Sequence, residues 1–250
     1  PVHELLDHDR TGQGEEFMDG YEVSVFAVTD GIAVQRFGHA SDYKRAFDGD
    51  EGPNTGGMGA VCPALKFDKA LEDRAYAEII EPTLGELKKR GITYRGVLYA
   101  GLMITSEGPK LVEYNCRFGD PECQLIMRCL RSDVIPSLWG AATGRLGGIG
   151  LDWMDGAGVL VTYAAKGYPG AVEKGSRIEG LDEAASDDNA VIFHAGTAMS
   201  GDALTAAGGR VLSVTGFGAD VIEAKKTAYS AVEAVTWPEG FYRTDIASST

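Results

Sequence analysis

Glu113, Asn115 and Arg117 stand two residues apart in the stretch Leu111-Val-Glu-Tyr-Asn-Cys-Arg-Phe-Gly-Asp120-Pro-Glu122. On an extended chain, side chains at i and i+2 share a face. A carboxylate, a carboxamide and a guanidinium would then point the same way. A carboxylate beside an amide oxygen offers the hard donors that Mg²⁺ accepts while keeping phosphate and water in its shell. Arg117 on the same face can grip phosphate or carboxylate oxygens as a fork. The alternative for this stretch is a polar strand face turned to water. Residues 96–105, just upstream, are almost wholly apolar and predict a buried strand. The return strand over 110–116 is therefore expected near the middle of its sheet, where three polar side chains in a row need a reason.

Two further constellations carry the chemistry that such a strand would need. Asp42-Tyr-Lys44-Arg45 is followed by Asp48-Gly-Asp-Glu-Gly-Pro-Asn54-Thr55-Gly56-Gly57-Met58-Gly59. The order is not that of a phosphate-binding P-loop. Successive glycines can still turn backbone N–H groups toward an anion, with Lys44 and Arg45 adding positive charge. A solvated loop would have the same composition. Glu15-Glu16-Phe17-Met-Asp-Gly20-Tyr-Glu22 is an acid-rich segment that by itself says little.

The elements around these residues can be read from periodicity. Residues 22–29 and 32–37 flank Asp30-Gly31 and predict a hairpin with a type I′ turn. Residues 38–60 have no apolar period and read as a long loop, which in a compact domain is usually functional or disordered. Apolar residues recur at helical spacing over 68–90, with Pro82 expected to start a new segment and Gly91 to end the helix. Helices are expected over 121–131, 134–143 and 220–235, and strands over 159–165, 190–194 and 210–215. Six glycines between 144 and 158 mark the neighbourhood of a domain boundary. The class is α+β.

Composition excludes several partners. The net charge of −14 repels the phosphates of nucleic acid and anionic lipid, so neither is expected as a partner. An anionic substrate would need a local cluster of Lys, Arg and Mg²⁺. With 44% hydrophobic residues the chain can bury a core. It has no apolar run of about 18 residues and no basic–apolar leader, so a cytoplasmic protein is expected, although a chain beginning at Pro1 reads as a cut product. Cys62, Cys116, Cys123 and Cys129 match no zinc spacing and are expected as buried, reduced thiols. The four histidines are scattered and form no metal pair.

Taken together, these stretches resemble the ATP-grasp ligases, and within them the phosphoribosylamine–glycine ligase family of purine biosynthesis. The resemblance rests on Glu15-Glu16-Phe17, Gly20 and Glu22-Val-Ser, on Lys44-Arg45, and above all on Gly52-Pro-Asn-Thr-Gly-Gly-Met-Gly-Ala60. It continues through Tyr94-Arg-Gly-Val-Leu-Tyr-Ala-Gly-Leu-Met-Ile104 and Val112-Glu-Tyr-Asn-Cys-Arg-Phe-Gly-Asp-Pro-Glu122. Gly167-Tyr-Pro-Gly170, Phe193-His-Ala-Gly-Thr197 and Gly208-Gly-Arg-Val-Leu212 extend it to the C-terminus.

The resemblance implies part of an ATP-grasp domain over 1–150, an antiparallel sheet with helices, and a small α+β domain over 151–250. It implies that ATP phosphorylates glycine and that 5-phosphoribosylamine attacks the glycyl phosphate, giving glycinamide ribonucleotide, ADP and phosphate. Mg²⁺ (or Mn²⁺) would accompany ATP, held by Glu113 and Asn115. Glu16 and Phe17 would meet the adenine and Glu22 the ribose. Lys44, Arg45, Arg117 and Asp120 would be catalytic, with Asn54, Thr55, Gly56, Gly57, Met58 and Gly59 lining the substrates. Two departures stand out. The family carries an N-terminal domain and the first half of the ATP-grasp module before this point, so the missing half of the enzyme is an expected partner and an exposed sheet edge an expected consequence. Tyr43 also stands where the family more often has histidine. Three readings follow: a ligase fragment, a remnant with weak Mg–nucleotide binding, and an ATP-grasp ligase with another amine acceptor.

Overall fold

The computed structural model describes residues 17–248. Glu15 and Glu16 lie outside the described residues. The first strands are β1 (Tyr21–Thr29) and β2 (Val34–Asp42), paired antiparallel. Their turn differs from the expected two-residue form. The last pair is Thr29 with Val34, so residues 30–33 form the loop. The Asp30 carboxylate, only 3% exposed, accepts N–H groups from Ile32 and Ala33 and from distant Leu146. A side chain thus replaces the backbone turn. Burial alone would raise the Asp30 carboxyl's pKa, but those N–H groups outweigh it and hold the group below its usual value.

Residues 38–60 do not form one long loop. β2 runs on to Asp42, then β3 (Arg45–Phe47) and β4 (Glu51–Asn54) make a small hairpin, and β5 (Gly59–Cys62) returns to the main sheet. The hairpin lacks an apolar period because long-range polar contacts hold it. Gly49 N–H donates to Asp245, Thr244 N–H to Asp48, and buried Arg243 pairs with Asp245 and Asp50.

The predicted helix over 68–90 is two helices, α1 (Lys69–Ala75) and α2 (Glu81–Lys89), joined by a π turn over 76–80. Asp68 caps the start through the Leu71 N–H, and Pro82 sits in the first turn of α2. Gly91, at φ 74°, closes the end with paired bonds from Gly91 N–H to Lys88 and Ile92 N–H to Leu87. The return pair is β6 (Gly96–Thr105) and β7 (Gly108–Asn115). Then come α3 (Glu122–Cys129), α4 (Ile135–Thr143) and β8 (Ala157–Ala165). The C-terminal part adds α5 (Leu181–Ala184), β9 (Ala190–His194), the hairpin β10 (Thr197–Ser200)–β11 (Ala203–Ala206), β12 (Arg210–Gly218), α6 (Val221–Ala234) and β13 (Gly240–Phe241).

The main sheet runs β7-β6-β1-β2-β5-β8-β12-β9, with β13 on β8, and every pairing is antiparallel. It passes without a break from β5 to β8, so strands on both sides of residue 150 share one sheet. β7 is its edge strand among the described residues, not an inner one. Apolarity of β6 is explained instead by helices on both faces. Val23, Val25 and Leu102 pack under Tyr76 and Ile80, while Phe26 and Tyr99 pack against Leu125 and Ile126 of α3. Each such fully buried Phe, Ile or Leu contributes about 1.5–3 kcal/mol of transfer free energy. Cys62 and Cys129 are buried as expected, Cys123 is half-buried, and Cys116 is exposed; all four are free.

Candidate active site

Register decides which side chains meet. Gly101 pairs with Ser24 on one side and Glu113 on the other, and Tyr99 pairs with Phe26 and Asn115. The register slips between Gly101 and Leu102, leaving Val112 as the extra residue of a bulge on β7. Glu113 and Asn115 therefore share the face that carries Ser24 and Tyr99. Asn115 Nδ2 donates to Glu113 Oε1 at 3.1 Å. Of the three side chains expected on one strand face, Glu113 and Asn115 lie together at the rim of a cleft, while Arg117 falls beyond the end of β7 and continues the cleft with Gly119 and Asp120.

Lys44 closes the cleft from β2's end. It forms an ion pair with Glu22 of β1. Burial alone would lower its pKa; Glu22, Asp42 and Glu113 outweigh burial and hold the ammonium above its usual value. One cation thus serves three carboxylates, two of them expected ligand contacts. Beyond Lys44 the cleft opens into a lobe of about 700 Å³ that reaches Arg45, Asn54 and Arg243. Arg45 folds back, donating to the Gly52 carbonyl at 2.9 Å. Phe17 is 90% exposed and stands apart from these groups.

The glycine loop is used differently from the expectation. Its N–H groups do not face the cleft as an anion nest. Thr55 N–H donates to Lys44 O, Gly56 N–H to Tyr168 Oη, Gly57 N–H to Thr55 Oγ1 and Met58 N–H to Tyr43 O. The Met58 side chain is fully buried and Gly59 lies in buried β5. Only Thr55 and Gly56 of the loop line the cleft beside Glu113, while Asn54 lines the larger lobe. Positive charge for an anion therefore comes from side chains around the cleft and lobe, Lys44, Arg45 and Arg117 among them.

Several groups were not picked out as site residues from sequence. Glu122, 3% exposed, accepts the Ser24 hydroxyl at 2.9 Å, and Ser24 Oγ lies 2.9 Å from Tyr99 Oη. Gly119 makes room for this: a Cβ there would sit 2.4 Å from the Glu122 carboxylate. Asp42 faces the same floor, and its Oδ1 is buried with no hydrogen-bond partner. Burial first, then the Glu122 charge, push the Asp42 carboxyl well above the usual carboxylate range. Arg210 pairs with Asp120 at 2.9 Å. Asp42 ends β2 two residues before Lys44, a closeness that could have flagged it. Arg210, 90 positions from Asp120, had no such signal. The Tyr43 hydroxyl accepts the Ala247 N–H at 3.1 Å and its ring lies under the Arg243 guanidinium.

A fit for Mg²⁺ can be tested on these donors. Among the described residues, no three His, Cys, Asp or Glu side chains cluster as an all-protein metal cage. A carboxylate and an amide at a cleft rim suit instead an ion that brings phosphate and water with it.

Comparisons with known proteins identify the family. Residues 2–123 match the family model of the phosphoribosylglycinamide synthetase ATP-grasp (A) domain, and residues 158–249 match that of its C domain. The phosphoribosylamine–glycine ligase of Mesorhizobium japonicum is 52% identical over 232 residues, 93% of this chain and 54% of the relative. The crystal structure of the Thermotoga maritima ligase superposes with a TM-score of 0.83 at 36% identity, covering 93% of this chain and 57% of that one. Urea carboxylase of Kluyveromyces lactis, at 13% identity and TM-score 0.65 over 89% of this chain and 19% of its own, shares the fold alone. The chain spans about half the length of the curated relatives it matches. It belongs to the phosphoribosylglycinamide synthetase family of ATP-grasp ligases.

Proposed function

We propose that this chain supplies the metal-binding and phosphate-facing half of a phosphoribosylamine–glycine ligase, acting with the N-terminal half that its relatives carry. The reaction joins glycine to 5-phosphoribosylamine through glycyl phosphate, releasing ADP and phosphate. The observation that supports it most is that Lys44, on the link between β2 and β3, pairs with Glu22 of β1 and lines the same cleft as Glu113 and Asn115 of β7. Glu113 and Asn115 would hold Mg²⁺ (or Mn²⁺), which when bound offsets the repulsion between phosphate and carboxylate oxygens.

The chain's own residues account for the rest of the reading. Glu22 would take the ribose hydroxyls, with Glu16 and Phe17 toward the adenine. Lys44, released from part of its acidic company by an arriving anion, would face phosphate together with Arg45 and Arg117. Asp42, with its unpartnered oxygen, and Glu122 form the acidic floor that would receive the ammonium of glycine. Thr55, Gly56 and Asp120 would bound the space where the amine attacks, and Asn54 the wider lobe. Residues 1–150 would be the end of the ATP-grasp domain and 151–250 the small C-terminal domain. Among the described residues no helix is long and apolar enough to cross a membrane.

Two measurements test this. Full-length enzyme carrying this sequence should release phosphate from ATP only when Mg²⁺, glycine and phosphoribosylamine are all present; release independent of glycine would refute it. Calorimetry of Mg–ATP binding to wild type and Glu113→Ala should show affinity reduced about tenfold or more by loss of a metal ligand. Equal affinities would remove Glu113 from the metal site.

A further inference from the structure

Arg210 opens β12, in the C-terminal part of the chain, yet its guanidinium ends between two loops of the first part. Nη1 donates to the Gly56 carbonyl at 2.6 Å, to the Asp120 carbonyl at 2.7 Å and, more distantly, to Gly57 O at 3.3 Å. Nη2 lies 2.9 Å from Asp120 Oδ2. The side chain is 19% exposed, so these oxygens replace water for most of its donors. The preceding peptide is held as well, because the Gly56 N–H donates to Tyr168 Oη at 3.0 Å. Tyr168 and Arg210 both belong to the stretch after residue 157. Together they clamp a loop that precedes them by more than a hundred positions.

The two clamped loops carry Thr55, Gly56, Gly119 and Asp120, which line the cleft facing Glu113 and Asn115, whereas Arg210 does not line it. We infer that Arg210 is a positioning residue: it locks the glycine loop to the Asp120 turn and so sets the geometry of the cleft wall opposite the metal-binding pair. This rests on the ligase reading only for its catalytic consequence. Arginine is required because one planar fork must reach three carbonyls and a carboxylate at once; a lysine ammonium is a point donor and cannot span them. The carboxylate of Asp120 is accordingly Arg210's partner in the closed wall. Because the loop's own N–H groups are spent inside the protein, only its carbonyls are free to be held this way.

The test uses the intact enzyme with Arg210→Met, Arg210→Lys and Arg210→Ala. Misplacing a cleft wall by a fraction of an ångström to 1 Å should lower kcat by about ten- to a hundredfold. KM for ATP should move less than about threefold, because Glu22, on β1, lies outside the clamped loops. Arg210→Lys should fail to restore kcat, and added guanidinium should recover part of it in Arg210→Ala. Wild-type kcat in Arg210→Lys, or a kcat loss matched by unfolding at the assay temperature, would overturn the clamp. Amide hydrogen exchange separates this from the ligase reading. In Arg210→Met, exchange at Gly56, Gly57 and Met58 should quicken about tenfold while β6 is unchanged; unchanged loop exchange overturns the clamp. Wild-type enzyme with no glycine-dependent phosphate release overturns the ligase reading instead.

Discussion

Replacing Ser24 by alanine removes the hydroxyl that links Tyr99 to Glu122 on the cleft floor. Ser24 and Glu122 are each 3% exposed and Tyr99 is 5% exposed, so water cannot readily replace the lost partner. The 2.9 Å bond to the Glu122 carboxylate is a hydrogen bond to a charged group, of about 1.5–3 kcal/mol net, and the Tyr99 bond adds about 1 kcal/mol. The total, about 2.5–4 kcal/mol, corresponds to a fall in Tm of roughly 5–16 °C for a chain of this length. Thermal melts by circular dichroism would measure it in wild type, Ser24→Ala, Glu122→Gln and the double variant. If the two groups act through one bond, the double variant should lose less than the sum of the singles by about 1 kcal/mol or more. Ser24→Ala melting within about 2 °C of wild type, or strictly additive singles, would refute the picture of a bonded acidic floor.

Two further outcomes follow from other parts of the molecule. The Asp30 carboxyl is held below its unfolded value, so its stabilisation is fully present above about pH 3.9 and is lost as pH falls through the folded value. Urea unfolding should show Asp30→Asn less stable than wild type at pH 7, with the gap narrowing by pH 3; a gap independent of pH would contradict the assignment. The outer side of β7 is an open edge among the described residues, with Leu111 and Val112 exposed. This chain by itself should self-associate with rising concentration in sedimentation experiments, and Val112→Lys should suppress that; a clean monomer at all concentrations would argue against an adhesive edge.

Much of the element pattern was legible because it is local. Residues 96–105 read as a buried strand and are one; Asp68, Pro82 and Gly91 punctuated their helices where short-range chemistry predicts. The alternation at Glu113 and Asn115 placed both on one face for the same reason, since the period of an extended chain is fixed by its backbone. Legibility ended where a polar group's partner is far along the chain. Asp30 looked like a turn residue, and its third donor, Leu146, is 116 positions away. Residues 38–60 looked structureless because Arg243, Thr244 and Asp245 hold the 45–54 hairpin. The glycine loop's amides looked available because Tyr168, which takes one of them, lies beyond residue 157.

By itself, the sequence carried the family resemblance in motifs spread along the chain, and it marked the strand with the carboxylate–carboxamide pair and most of the longer helices, which depend on spacing within about ten residues. Only the tertiary structure decided that β7 is an edge, that Lys44 stands among Glu22, Asp42 and Glu113, that Met58 is core, and that Asp42 and Glu122 form a floor beneath Glu113 and Asn115. Those facts depend on how the sheet is ordered and on charges brought together from strands far apart in the chain. The Coulomb and desolvation effects that set them act over a few ångströms of space, whatever the separation in sequence.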